Sequence, residues 1–274
     1  MNRALTKTAP MTGILWFLAL VFVFPVLWFL LSSFKPGHEL FRYPLTLLPD
    51  TWSVQGYRDA WTRFDFAQYF LNTAIAAVVT TALTVIVSAA TGYAFAKYRA
   101  WWLKLFFLCI LATTMLPTEV IMPSTFTVIR SLGLYNQLAG IIVPSIITAT
   151  GIFMFRQYFS TVPTELMEAA RIDGAGELRI FFNIMLPLAK PIAATLAIFS
   201  FHWRWNDYIW PLLVLNDQNK YTLQVALRSI VGAENIDWAV LLSASVISLI
   251  PMVVLFALFQ RHVMNADMNS GLKD

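Results

Sequence analysis

Few residues in this 274-residue chain are spaced for covalent chemistry. The three histidines, His38, His202 and His262, lie far apart and share no ligand spacing, so no metal site is expected. The single cysteine, Cys109, stands inside an apolar run. That excludes an internal disulfide or a cysteine-based metal centre and reads as a small core residue. Serine, histidine and aspartate are all present, yet no strand-to-helix nucleophile elbow arranges them for attack. No glycine-rich loop ends in Lys-Ser or Lys-Thr, so nothing in the chain can cradle nucleotide phosphates. What stands out is recognition chemistry. Glu119 is a carboxylate in an apolar stretch. The run His202-Trp203-Arg204-Trp205-Asn206-Asp207-Tyr208-Ile209-Trp210-Pro211 mixes ring faces with amide and carboxylate groups. Indole and phenol rings stack on the apolar faces of sugars while amides and carboxylates bond hydroxyls, so these residue types suit a polyol; Arg204 could serve a phosphate, while the aromatic cluster fits a neutral oligosaccharide equally well.

The elements that must hold these groups are apolar helices. Hydrophobic residues make up 58% of the chain and charged ones only 12%, where a soluble domain carries about a quarter charged. The composition is that of an integral membrane protein. The net charge of +4 is spread over many connectors without a basic run, which fits membrane orientation and lipid contact and argues against nucleic-acid binding.

Runs long enough to cross a bilayer are expected at residues 11–31, 70–96, 105–129, 138–155, 191–215 and 239–259. The first outlasts a signal-peptide core and has no small-residue cleavage site after it, so it reads as a retained span. Pro25 and Pro251 should bend the spans that contain them, and 105–129 is interrupted by Met115-Leu116-Pro117-Thr118-Glu119 and Pro123. Residues 32–69 and 216–238 are polar or amphiphilic connectors on one face. Lys97, Arg99 and Lys104 crowd the connector after the second span and mark the cytoplasmic side, with 1–10, 156–190 and the tail 260–274 on that same side. At membrane depth Glu119 should face a partner or a wet cavity, although a carboxylate paired near the outer interface fits as well. The aromatic run has its own alternative as an interfacial belt. No internal repeat of the secondary-transporter kind is visible.

Between the fourth and fifth spans lies the longest patterned polar segment, Ser160 to Pro191. It reads as two short helices about a tight turn. Pro163 and Thr164 open the first, with threonine able to cap, and Glu165 and Glu168 sit near the positive end of its dipole. Asp173-Gly174-Ala175-Gly176 breaks it, since glycine supplies the turn and the carboxylate can accept from the next helix's amides. Leu178, Phe181, Phe182, Ile184 and Met185 continue at helical spacing until Pro187 ends the regular bonding.

Glu168-Ala169-Ala170, then Asp173-Gly174-Ala175, then Ile184 and Leu186-Pro187 resemble the EAA loop of the permease subunits of bacterial ABC importers. Trp205-Asn206, Tyr208 and Trp210-Pro211-Leu212 resemble the fifth span of carbohydrate-importer permeases, and Ser32-Ser33-Phe34-Lys35-Pro36 with Tyr57, Trp61 and Asn72 resembles their first external loop. The likeness extends over nearly the whole chain, to the maltose-type and glycerol-3-phosphate-type permeases. It implies an all-α membrane protein of six transmembrane helices, the type I importer permease fold with a cytoplasmic coupling helix. It further implies a place in the inner membrane of a prokaryote with both termini cytoplasmic. The implied partners are a homologous second permease subunit forming a heterodimer, a dimer of ABC ATPases and an extracytoplasmic solute-binding protein. Small polar solute and lipid complete the set, without nucleic acid. The chain would be a transport subunit and no enzyme, with no cofactor of its own, ATP and Mg being bound by the ATPases. Coupling is expected at Glu168, Ala169, Ala170, Asp173, Gly174 and Ala175, and the substrate path at Glu119, Asn206, Asp207, Tyr208 and Trp210. Two other readings remain: an ion-coupled carrier using Glu119 or Asp207 as its ion site, and a membrane-embedded enzyme. Neither accounts for the patterned loop.

Overall fold

The computed structural model describes residues 5–232 and 235–270, and the ends of the expected cytoplasmic termini, 1–4 and 271–274, lie outside them. Every regular element among the described residues is helical. Besides two 3-10 turns, Val143–Ser145 and Gln218–Lys220, the α-helices in chain order are α1 (Leu5–Ser32), α2 (Gln55–Arg63), α3 (Phe66–Lys97), α4 (Trp101–Thr113), α5 (Thr118–Ser131), α6 (Leu138–Ile142) and α7 (Ala149–Thr161). There follow α8 (Glu165–Ile172), α9 (Glu177–Ile180), α10 (Leu186–Leu188), α11 (Lys190–Trp205), α12 (Ile209–Val214), α13 (Leu223–Val231) and α14 (Trp238–Ser270). Thr12–Ser32, Phe66–Lys97 and Trp238–Leu258 are each long and apolar enough to cross a membrane, and three bent helix pairs pass the same test, which makes six crossings if each pair counts as one.

The chain divides into two units. The first takes residues 1–67 and 227–250. Its α1 exposes apolar side chains from Ile14 to Trp28, Phe22 at 77% among them, as a helix facing lipid would. The connector after α1 is tied down by its polar groups. The Lys35 ammonium donates to the carbonyl and hydroxyl of Thr46, and the buried Glu39 carboxylate accepts from the Asp50 amide at 2.7 Å. Close approach replaces side-chain packing at Gly56, where an added Cβ would lie 2.6 Å from the Ala239 carbonyl.

The second unit, residues 68–226 and 251–274, carries both candidate sites. Small residues Ala77, Thr80, Thr84, Ser88 and Gly92 recur at helical spacing on the buried face of α3 and let other helices come close. A Cβ at Gly92 would sit 2.6 Å from Phe155 Cβ and 2.8 Å from the Arg156 amide of α7. Around this seam lies a core of Ala89, Tyr93, Phe155, Phe159, Met185 and Leu196, with the inward residues of α8 and α9.

Several expectations need correction here. The stretch 105–129 is interrupted as expected ahead of Thr118, where two helices meet at 111°, but the second interruption expected at Pro123 is not made, since α5 runs through it. The Thr113 and Thr114 hydroxyls donate to the carbonyls of Ile110 and Leu111 at 2.6 and 2.7 Å, and Pro117, without an N–H, then starts a new direction. Residues 191–215 are likewise not one rod: α11 ends at Trp205, and α12 begins only at Ile209. Cys109, expected in a core, is exposed on α4. Pro187 does not end its helix. Leu186 donates back to the Phe181 carbonyl through one π turn, Phe181–Met185, and the break falls at Ala189, where the two helical stretches meet at 78°. The widened turn sits where proline has removed a bond.

Gly92→Ala should therefore lower the thermal stability of the detergent-purified protein by about 1–3 kcal/mol through overpacking. Gly13→Ala, with nothing within 4 Å of its added Cβ, should leave the melting temperature unchanged.

Candidate functional site

The patterned loop folds into an elbow whose two sides do different work. Thr164 opens α8 with a helical backbone and makes no side-chain cap, contrary to expectation; its carbonyl instead accepts from the Met167 and Glu168 amides at 3.0 and 3.2 Å. Met167 and Ala170 turn inward and are buried, joined by Ile180, Phe181 and Met185 from the far side of the turn. At the bend Gly174 takes φ of 79°, in the left-handed region. Its amide donates to the Arg171 carbonyl at 3.0 Å and the Ala175 amide to that of Ala170 at 2.9 Å, the paired bonds of a Schellman stop. Gly176 then caps α9 with its backbone alone, so the expected Asp173 carboxylate cap is not made.

The six expected coupling residues thus gather at one elbow and split in role. Ala170 is buried, Ala175 half-buried, and Gly174 sets the turn. Glu168, Ala169 and Asp173 face outward beside Leu166, Ile172 and Leu178, the last two 87% and 75% exposed. Apolar side chains left that open on a polar loop are a surface for something to cover.

A carboxylate that sequence reasoning missed ties the elbow to α3. Glu177 Oε1 accepts from Arg171 Nε at 2.8 Å, and Oε2 accepts from the Tyr98 hydroxyl at 2.6 Å and the Tyr93 hydroxyl at 3.2 Å. On the other side of the elbow, Lys97 Nζ donates to the Val162 carbonyl. The Tyr98 hydrogen bond, aided by Arg171, holds the Glu177 carboxyl below the usual carboxylate range. Both members of the Glu177–Arg171 pair are nearly half exposed, so water screens it and it adds little to stability. No helical period links Arg171 to Glu177, and Tyr98 lies 79 residues from it, so only the tertiary structure reveals the cluster.

A second site lies at the bend between α4 and α5, a cleft of about 630 Å³. Thr113 and Thr118, on either side of the bend, both line it, and Thr148 adds another hydroxyl. Its charged groups are Arg204, in the last turn of α11, and Asp207 just beyond. Arg204 Nη1 donates to Ser145 Oγ at 2.7 Å and to Asp207 Oδ2 at 3.3 Å, and Thr84 of α3 donates to the Ser145 carbonyl at 3.3 Å.

Of the expected path residues, Asp207 and Trp210 line this cleft, and Trp210 is held there by its indole N–H, which donates to the Gly140 carbonyl at 3.3 Å. The other three do not line it. Asn206 is exposed and donates to the His202 carbonyl at 3.0 Å, Tyr208 is half-buried at the start of α12, and Glu119 is exposed in the first turn of α5. Sequence reasoning left Ser145 out of the path and weighed Arg204 only as a group that could serve a phosphate. The i,i+3 spacing of Arg204 and Asp207 was the one local signal for the pair, while Ser145 is 59 residues away.

Because the Glu177 carboxyl titrates below its free value, its contribution is complete above the free-carboxylate range and is lost as pH falls through the lowered value. The hydrogen-exchange protection of the amides of 171–178, measured relative to the intrinsic rate at each pH, should fall on acidification through that window in the wild type. In Glu177→Gln the protection should already be lower at neutral pH and lack that step.

Comparison with known proteins places the chain in a family. Residues 88–265 match the family described as the binding-protein-dependent transport system inner membrane component. An arabinooligosaccharides transport system permease protein, AraQ, of Halalkalibacterium halodurans is 36% identical, over 94% of this chain and 93% of its own. A diacetylchitobiose uptake system permease protein, NgcG, of Streptomyces coelicolor is 33% identical, over 91% of this chain and 83% of its own. An sn-glycerol-3-phosphate transport system permease protein, UgpE, of Yersinia pestis is 35% identical, over 88% and 89%. Among solved structures, a bacterial ABC transporter involved in the import of the acidic polysaccharide alginate superposes with a TM-score of 0.84 at 25% identity, covering 95% of this chain and 98% of that one. The chain accordingly belongs to the binding-protein-dependent transport system inner membrane components, as a membrane-embedded permease subunit of an ABC importer and not an enzyme.

Proposed function

We propose that the chain forms one half of the pathway by which a carbohydrate or related polyol is imported across a prokaryotic inner membrane. It pairs with a homologous permease subunit, receives solute from an external binding protein, and is driven by a dimer of ATPases that grips the elbow from the cytoplasm, where both termini also lie. ATP and Mg belong to those ATPases, and this chain brings no cofactor. The relatives support the solute class, since their names span arabinooligosaccharides, diacetylchitobiose and sn-glycerol-3-phosphate.

The observation that carries the coupling role is the two-faced elbow. Met167, Ile180, Phe181 and Met185 are buried in the same core as Phe155, Phe159 and Leu196. At roughly 1.5–3 kcal/mol per buried side chain, peeling the elbow off would cost roughly 6–12 kcal/mol. Force on the outer face, at Glu168, Ala169, Ile172 and Asp173, therefore moves α7 and α11 with it before the elbow comes away. Alternating access then follows from tilting packed helices, without chemistry in this chain.

Gly174→Pro, which locks φ near −65° where 79° is needed, and Glu168→Lys, which reverses an outward charge, should both insert normally. Each should lower ATP-driven uptake in proteoliposomes roughly 5- to 150-fold and weaken co-purification of the ATPase. Either variant carrying solute at the wild-type rate with its ATPase bound would remove the coupling assignment. Uptake on an ion gradient with no ATPase present would favour an ion-coupled carrier instead.

A further inference from the structure

Arg204 and Asp207 are the two charged side chains on the cleft lining, and they face each other with side-chain exposures of only 23% and 21%. Their charges cancel. Both protein hydrogen bonds of the guanidinium, to Ser145 and to Asp207, fall on Nη1. Among the described residues, then, the Nε and Nη2 donors are left for something else, as are further lone pairs on the Asp207 carboxylate. Trp203 and Trp210 add ring faces, and Thr118 and Thr148 add hydroxyls that both donate and accept.

We infer that the Arg204–Asp207 pair makes this cleft a site for an uncharged, polyhydroxylated solute and turns away anionic ones such as phosphate esters and uronates. The inference rests on reading the chain as half of a carbohydrate importer. A vicinal diol can accept from Arg204 and donate to Asp207 while the ion pair stays closed. A phosphate or carboxylate must compete with Asp207 for Arg204. If it wins, it leaves an unpaired, largely buried carboxylate beside a second anion, and such an arrangement is disfavoured by both lost pairing and like-charge repulsion. The volume of about 630 Å³ lies within the usual range for a small-molecule site. An isolated guanidinium in the same place would select the opposite class, so the selectivity resides in Asp207 as much as in Arg204.

The test is direct binding to the purified permease–ATPase complex without its binding protein, read by saturation-transfer NMR with arabinotriose and glycerol 3-phosphate as probes. Wild type should bind the triose and give no phosphate-ester signal. Asp207→Asn, which frees the Arg204 charge, should gain glycerol 3-phosphate binding and shift the preference about tenfold or more toward it. The uncharged double variant Arg204→Gln/Asp207→Asn should lose that gain, and it decides the matter if the single variant does not assemble. Equal binding of both probes by wild type, binding of neither, or no gain in Asp207→Asn would overturn the inference. So would a double variant that still takes the phosphate ester. Triose binding together with absent ATP-driven uptake would instead sink the importer reading and leave the preference of the cleft standing.

Discussion

Burial of the elbow's inner face is the constraint from which the remaining behaviour follows. A surface loop can be gripped by another protein without passing anything on, because most loops bend more easily than the helices behind them. This one is different in its packing. Ala170 is small enough to bury at the point where the Schellman bonds close, Gly174 supplies the left-handed turn, and Ile180, Phe181 and Met185 bring the returning chain onto the same core as Met167. Glu177 and Lys97 add polar ties to the end of α3 on both sides of the turn. These ties are individually weak, being partly in water, so the apolar contacts hold the elbow and the polar ones fix its orientation.

The core that holds the elbow also connects it to the cleft. Helix α11 starts at Lys190, directly after the elbow, contributes Leu196 to the shared core, and carries Arg204 in its last turn. Sixteen residues make a rod about 24 Å long. A tilt imposed at its first turn therefore displaces its far end, where Arg204 meets Ser145 and Asp207. The wall opposite owes its place to the 111° bend between α4 and α5, which brings Thr113 and Thr118 to the same opening. Elbow and cleft share one unit of the fold, so no separate linker is needed between them.

Much of this was legible in the sequence because it is local. Apolar runs near twenty residues mark helices that can cross a bilayer, and Asp173-Gly174-Ala175-Gly176 announces a turn that only glycine enters without strain. The motif also put the six expected coupling residues in one place, though it could not say that Ala170 faces inward while Ala169 faces out. What escaped depends on geometry that no window of sequence contains. Pro117 marked an interruption, but whether the chain would kink or turn through 111° depends on what the two helices then pack against. Glu177 looked like an ordinary first-turn acid until Tyr93 and Tyr98 came to it from more than seventy residues away. Arg204 stood in plain view among the tryptophans, yet its partner Ser145 lies in a different helical segment. Glu119 shows the converse: an acid conspicuous by composition that the fold leaves exposed, away from the cleft lining.

That the elbow transmits work from another polypeptide is tested most directly by the accessibility of its outer face. With Cys109 replaced by serine, a single cysteine at Ile172, which is 87% exposed in the isolated chain, reports whether that face is covered. Thiol labelling of Ile172→Cys should slow by about tenfold or more when the ATPase dimer joins the permease, in a complex that still performs ATP-driven uptake. An unchanged labelling rate in such an active complex would contradict the account, because the work would then be entering the permease somewhere else.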